Sequence, residues 1–218
     1  MRKATLAQRD KLWEMIDQDG TPREQVQNLL ASGLLPDFLN ADFTQQIDRD
    51  ELRRILNLKP LEYTFSVDYD MSISEAMKYD GTGASNCAIV DRNFPSTRTG
   101  KVSKEAYLVK MDQTMSVTLE NGNVTSRDVL LQMGIKMLRP ADLRELLAFA
   151  RRYPTLVRQR RFHIVALGSI YQSSPTNTLK QVCGLTLMDY PKDEINLSLL
   201  PFDEEWDPKE FRFLAVPQ

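Results

Sequence analysis

Histidine and cysteine are scarce: the 218-residue chain has one histidine, His163, and two cysteines, Cys87 and Cys183. A single histidine excludes a histidine-built metal centre, and Cys183 offers no ligand spacing beside it. Two cysteines far apart in the chain exclude a disulfide scaffold. They read as small, mostly buried thiols in a reducing compartment. No uncharged apolar run approaches the roughly 20 residues needed to cross a bilayer. The start, Met1-Arg2-Lys3-Ala4-Thr5-Leu6, then Gln8, Arg9, Asp10 and Lys11, holds no apolar signal core. A cytoplasmic protein with no membrane partner is therefore expected. Neither sign of charge dominates, with 28 Lys+Arg against 30 Asp+Glu and a net charge of −2. That balance, with pI near 5.6, lacks the footprint of a general polyanion binder. A content of 42% hydrophobic and 8% aromatic residues excludes collagen, coiled-coil rods and wholesale disorder.

The even balance conceals a segregation. Residues 1–60 carry a net −1, 61–125 a net −3, 126–161 a net +6 and 162–218 a net −4. One basic stretch thus runs into an acidic tail.

Periodicity divides the chain near residue 60. Before it, the pattern is helical. Thr5 and Gln8 form a capping-box pair ahead of Leu6, Leu12, Trp13 and Ile16, with Gly20 as the stop. Thr21-Pro22-Arg23-Glu24 starts a second helix with Val26, Leu29 and Leu30 as its stripe and Gly33 as its end. Asp48 and Glu51 open a third, with Leu52, Ile55 and Leu56 inward and Pro60 as its limit. Phe38, Leu39 and Phe43 cover the junction. Residues 1–60 therefore read as a helical N-terminal unit.

Residues 61–218 read as an α+β domain. Leu61, Tyr63, Phe65, Val67 and Tyr69 alternate with polar residues, the mark of a half-buried strand. Ser72 and Glu75 cap a short helix through Met77. Strands are expected over 106–111 and 115–119, with Asn121-Gly122-Asn123 as a turn. Ser126 opens a helix with Asp128 in its first turn, where Gly134 ends the helix or is tolerated inside. Pro140 is expected as the first residue of the next helix, with Leu143, Leu146, Leu147 and Ala150 as its stripe and Pro154 as its stop. His163–Tyr171 holds the run Ile164-Val165-Ala166-Leu167, which suits a strand buried on both faces. Strands over 181–188, 195–200 and 211–216 follow at hairpin-like intervals. The fold class expected is α+β, a helical unit followed by a mixed domain ending in an antiparallel sheet.

Three phrases carry a resemblance: Gly134–Phe149 (GIKMLRPADLRELLAF), His163–Ser169 (HIVALGS) and Phe211–Val216 (FRFLAV). Together they resemble a widespread family of uncharacterised bacterial proteins, frequent in candidate phyla, from about Leu61 to the end. The resemblance implies no assigned chemistry. Pro217-Gln218 depart from the basic ending that the family pattern implies. More weakly, the order of helix, core strand, hairpins and aromatic-rich last strand resembles the tail of C-type-lectin-like domains. That likeness implies a binding scaffold, although the calcium ligands and paired cysteines of sugar-binding lectins are missing.

Few constellations point to chemistry. His163 opens a strand and reads as an edge or core residue bonded to backbone. A triad of Ser169, His163 and Asp189 lacks the strand–turn–helix elbow that exposes a nucleophile. Asp80-Gly81-Thr82-Gly83-Ala84-Ser85 contains Gly-x-Gly but fails both nucleotide fingerprints, and reads as a turn. Asp68, Asp70 and Asp80 read as solvated carboxylates rather than a cation site. The informative feature is the arginine run, Arg151, Arg152, Arg158, Arg160 and Arg161, interleaved with Tyr153 and Phe162. Guanidinium suits bidentate contact with phosphate or carboxylate and stacks on rings. Arg151, Arg152, Tyr153, Arg158, Arg160 and Arg161 are thus the candidate surface for a partner or a nucleic acid. The competing reading has two arginines favouring the helix dipole and the rest paired with Asp203, Glu204, Glu205 and Asp207.

The expected function is non-catalytic: a protein–protein interaction or accessory protein, of the kind a mobile element encodes, acting on another protein or a nucleoprotein complex. The alternative is a nucleic-acid-associated accessory or regulatory protein using the arginine-rich surface, with affinity falling steeply with salt. No enzyme activity, cofactor or metal is expected.

Overall fold

The fold is seen in a computed structural model that describes residues 22–32, 62–78, 83–84, 87–111, 122–154, 162–174, 178–188 and 194–218, with positions 10, 11, 14, 20, 53, 156 and 176. The chain divides into two compact units, Met1–Gln46 and Ile47–Gln218. In the first unit, helix α1 spans Arg23–Ala31, with Glu24 in its first turn. Pro22 stands at the N-cap and makes no side-chain capping bond, one position before the first-turn place expected for it. The stripe is present but little covered: Val26 is half-buried, and Leu29 and Leu30 are exposed. Asp10, Lys11 and Glu14 are described, and Lys11 pairs with Glu14 at 2.7 Å. The rest of the expected first helix, most of the third, and Phe38, Leu39 and Phe43 lie outside the described residues.

The second unit is α+β, built on one mixed sheet. Its strands are β1 (Tyr63–Asp68), β2 (Gly83–Ala84), β3 (Lys101–Val109), β5 (Leu138–Pro140), β6 (His163–Tyr171), β7 (Gln181–Met188), β8 (Glu194–Pro201) and β10 (Phe211–Pro217). They lie in the order β1-β3-β10-β6-β7-β8-β2, with β5 also paired to β10. A small ribbon joins β4 (Val124–Thr125) to β9 (Glu205–Trp206). Its helices are α2 (Ile73–Lys78), α3 (Ser126–Ile135) and α4 (Leu143–Arg152). Most pairings are antiparallel, but β10 runs parallel to β6. The last strand therefore lies in the centre of the sheet, where its apolar run Phe213 to Val216 is covered on both sides.

Residue period explains the layering. On β1 only alternate residues are apolar, so Tyr63, Phe65 and Val67 are buried while Thr64 and Ser66 face water. On β6, Ile164 and Ala166 join one core, and Val165 and Leu167 the other. Helix α4 supplies the first core with Leu143, Leu146, Leu147 and Ala150, as its stripe predicts. Phe149 is fully buried there, edge-on to Tyr63 at 5.4 Å and Phe65 at 5.8 Å. The second core centres on Trp206, which packs on Phe213 and donates through Nε1 to the Ser126 hydroxyl at 2.9 Å. Ser126 is the first residue of α3; Thr125 caps it and Asp128 returns the bond, and Gly134 is tolerated inside.

Two boundaries differ from expectation. Pro140 does not open α4. It ends β5, pairing with Ala215, because Asp142 and Glu145 form a complete capping box two residues later. A proline lacks the N–H of a central strand but tolerates this short outer pairing. Strand β3 begins at Lys101, five residues before the expected start; the strand expected over 115–119 lies outside the described residues.

The sheet splits beside α4. Strand β10 pairs with β6 through Phe211–Phe213 and with β5 through Ala215–Pro217. Ala141 bridges the split: its N–H donates to Leu214 O, and its carbonyl accepts from Gly168 N, both at 2.9 Å. Gly168 has no room for a side chain, since a Cβ would stand 2.6 Å from Ala141 O and 2.8 Å from Pro140 O. At Gly184 a Cβ would meet mainly the movable tip of Leu200. Gly168→Ala is expected to cost about 2 kcal/mol and to lower Tm by roughly 4–8 °C. Gly184→Ala should cost distinctly less. Thermal unfolding of both variants checks this, and equal melting of Gly168→Ala and wild type would refute the close-approach argument.

Candidate functional site

The arginine run is only partly described. Arg158, Arg160 and Arg161 lie outside the described residues. Arg151 and Arg152 occupy the last turn of α4, as dipole complementarity favours. Arg151 donates to the Met71 sulfur at 3.6 Å, and the Arg152 guanidinium lies over the Tyr153 ring at 5.5 Å. The pairing expected between the other arginines and Asp203, Glu204, Glu205 and Asp207 lies outside the described residues. Tyr153 belongs to the fold: its hydroxyl donates to Thr64 O at 2.8 Å and accepts from Thr64 N at 3.1 Å, latching α4 to β1.

The strongest polar constellation lies at the other end of α4. Glu145 stands within an otherwise apolar helix face and is completely buried. Its carboxylate accepts five hydrogen bonds. Oε1 receives Tyr69 Oη at 2.7 Å, Arg98 Nη1 at 3.0 Å and Arg139 Nη2 at 2.6 Å. Oε2 receives Arg139 Nη1 and the Asp142 amide, each at 2.9 Å. Arg139 is thus a two-pronged partner, the strong geometry for guanidinium and carboxylate. Arg98 Nη1 also reaches Asp142 Oδ2 at 3.1 Å and Tyr69 Oη at 3.2 Å. Each element brings one piece: the end of β1 supplies Tyr69, the segment before β3 supplies Arg98, β5 supplies Arg139, and the cap of α4 supplies Asp142 and Glu145.

The electrostatics follow from burial and partners. Burial alone would raise the Glu145 carboxyl. The hydrogen bonds from Arg139, Tyr69 and the Asp142 amide outweigh it and hold the group below its ordinary value. Burial and the neighbouring Glu145 charge raise Asp142, against the Glu145 amide and Arg98. Burial, and then donation to Glu145, push the Tyr69 phenol up to about 12. Glu145 is therefore a fixed anion with its lone pairs occupied.

Above this network a cavity of about 320 Å3 opens at the split in the sheet. Arg98, Arg139, Asp142, Arg144, Gly168 and Ser169 are among its walls. The Ser169 hydroxyl accepts from Leu143 N at 2.9 Å, capping the first turn of α4 from a neighbouring strand. Arg144 ties the helix to the loop opposite, donating to Met71 O and to Asp91 Oδ1 at 2.7 Å. No protein-family model, curated protein or solved structure matches this chain.

Of the remaining candidates, His163, Asp68 and Asp70 are described and serve the fold. His163 opens β6 and lies against the Phe211 ring at 5.0 Å. Asp189 and Asp80 lie outside the described residues. Asp68 Oδ1 accepts from Asp70 N at 3.1 Å and Asp70 Oδ2 from Gly100 N at 3.0 Å, so both shape the β1–β3 connection. Among the described residues no group of three or more His, Cys, Asp or Glu side chains is placed to hold a metal ion. Both cysteines are free, but only Cys183 is buried; Cys87 is exposed, contrary to expectation, because it lies in a surface turn. Burial pushes the Cys183 thiol up to about 12.

Sequence reasoning missed the Glu145 network. One signal was present: Asp142-x-x-Glu145 ahead of Leu146-Leu147 is a capping-box pattern. Tyr69 and Arg98 carry no local signal, since only folding brings them to Glu145. Removing the charge with Glu145→Gln leaves Arg139 without its counter-charge, and is expected to cost about 3 kcal/mol near neutral pH. A group held below its ordinary value stabilises the fold above the unfolded value of 4.5, and that contribution fades as pH falls through the folded value. Asp142, raised above 3.8, acts in the opposite sense. Urea unfolding at about pH 7 and about pH 3.5 should show the gap between wild type and Glu145→Gln narrowing in acid. A gap independent of pH refutes the assignment.

Proposed function

We propose that this chain is a non-catalytic binding module that docks another protein through an apolar ridge on α3. One observation carries the reading: Leu131, Ile135 and Met137 are 65%, 74% and 69% exposed. Leu131 and Ile135 are four apart and so share a helix face. Met137 stands two residues beyond Ile135, in the turn after α3 and in a left-handed conformation with φ 56° that few side chains adopt. Its backbone is held there, its N–H donating to Gly134 O at 3.1 Å and its carbonyl accepting from Gln218 N at 3.2 Å. Large apolar side chains gathered in water mark interaction surfaces.

The flanks suggest the partner's chemistry. Arg127 and Lys136 are exposed beside the ridge, which favours an apolar segment edged with acidic residues. The fixed Glu145 supports binding over proton transfer, since its oxygens are all engaged. No helix among the described residues is long and apolar enough to cross a membrane. The exposed, unbridged Cys87 supports a reducing, cytoplasmic setting. The likeness to an uncharacterised bacterial family adds no chemistry.

The test is the double change Leu131→Asp/Ile135→Asp. Both residues are exposed, so stability should stay within about 0.5 kcal/mol of wild type. In-cell cross-linking should recover a stoichiometric protein partner with wild type and lose it with the double variant. Retention of the partner overturns the ridge. Low-salt binding of nucleic acid that disappears in Arg158/Arg160/Arg161→Ala, with no protein recovered, overturns the protein-docking reading in favour of the arginine run.

A further inference from the structure

We propose that the cavity at the start of α4 binds a small zwitterion of the α-amino-acid kind, its carboxylate on the outer edge of Arg98 and its ammonium on the Asp142 carboxylate. The first observation is how Arg98 is used. All three of its side-chain hydrogen bonds, to Tyr69, Asp142 and Glu145, come from Nη1. Among the described residues the edge formed by Nη2 and Nε has no acceptor, although the side chain lines the cavity and is 38% exposed. That edge presents two parallel N–H groups, the geometry that matches a carboxylate. One nitrogen anchors the guanidinium and the rest is left pre-oriented, so little rotamer freedom remains to be lost on binding.

The second observation is the charge balance. Arg98, Arg139 and Arg144 are matched by Asp142, Glu145 and Asp91, each through a direct ion pair. An unaccompanied anion entering the cavity would meet Asp142, 23% exposed and 3.1 Å from Arg98. A ligand carrying both signs satisfies the two groups together. Asp142 already holds one bond on each oxygen, from Glu145 N and from Arg98, which leaves lone pairs for an ammonium. Its carboxyl is raised by burial and by Glu145, so a nearby cation stabilises its charged form. The volume of about 320 Å3 lies at the low end of the roughly 300–1,000 Å3 of small-molecule sites. Phe94, Pro95 and Leu143 give it an apolar side for a side chain.

The experiment is calorimetric titration of the full chain with L-serine, L-leucine and L-glutamate, beside acetate, methylamine and inorganic phosphate. At least one amino acid should bind saturably. Acetate and methylamine, each meeting one charge, should bind on the order of tenfold more weakly or worse. Asparagine caps a helix as well as aspartate does. Asp142→Asn should therefore fold, lower amino-acid affinity about tenfold and leave acetate binding no weaker than in wild type, since the carboxylate that opposes a lone anion is gone. Thr97→Trp, from an exposed position on the cavity wall, should abolish binding of every probe with Tm unchanged. Absence of binding by all three amino acids overturns the proposal. So does acetate or phosphate binding as tightly as the amino acids, or amino-acid binding that survives Thr97→Trp.

Discussion

The buried carboxylate of Glu145 fixes where four parts of the second unit meet. An isolated carboxylate in an apolar interior is heavily penalised, so burial of Glu145 requires donors, and the fold supplies five. Those donors come from β1, the segment before β3, β5 and the cap of α4. None can move independently without costing the carboxylate at least one of its bonds. Such a site contributes less to net stability than the sum of its bonds, because desolvation opposes the Coulomb gain. Its clearer effect is on placement: the carboxylate is satisfied where Tyr69, Arg98, Arg139 and the Asp142 amide converge.

The split in the sheet is the geometric counterpart. Strand β10 cannot pair with β5 and β6 along its whole length, so it takes each in turn. Ala141 spans the fork with one backbone bond to each side, and Gly168 permits the approach. The helix that starts there carries the Glu145 anchor two residues beyond its own first residue. A polar cavity consequently opens at the point where the strands diverge, the kind of place where sheets commonly hold ligands. Backbone pairing, helix capping and the ion network thus share the residues from Arg139 to Glu145.

The two surfaces proposed for binding differ in character. The ridge of Leu131, Ile135 and Met137 is apolar, exposed and flanked by cations. The cavity is polar, charge-balanced and pre-organised by bonds made from below. The first suits a macromolecular face and the second a small ligand. They lie on α3 and at the start of α4, on opposite faces of the sheet as judged by the two cores.

Much of the architecture was legible in order. Alternation marked β1, the continuous apolar run marked β6 as covered on both faces, and the spacing of Leu143, Leu146, Leu147 and Ala150 marked the inner side of α4. These features depend on periodicity, which is a local property of the chain. Helix boundaries were less legible: a proline suggested one start for α4, and the capping pair of Asp142 and Glu145 decided another. The Glu145 network at the start of that helix was not read, because an arginine run is conspicuous in a sequence while a lone glutamate in an apolar stripe is not. Tyr69 and Arg98 stand more than 40 residues from Glu145 in the chain, and no local pattern relates them. The parallel placement of β10, the fork at Ala141 and the cavity likewise arise from long-range pairing. Side-chain period along the chain marked the long strands and the apolar helix faces, since that period follows from backbone geometry alone. Which charges meet was set by packing across the fold, because a buried carboxylate is satisfied by whichever donors long-range contacts bring to it.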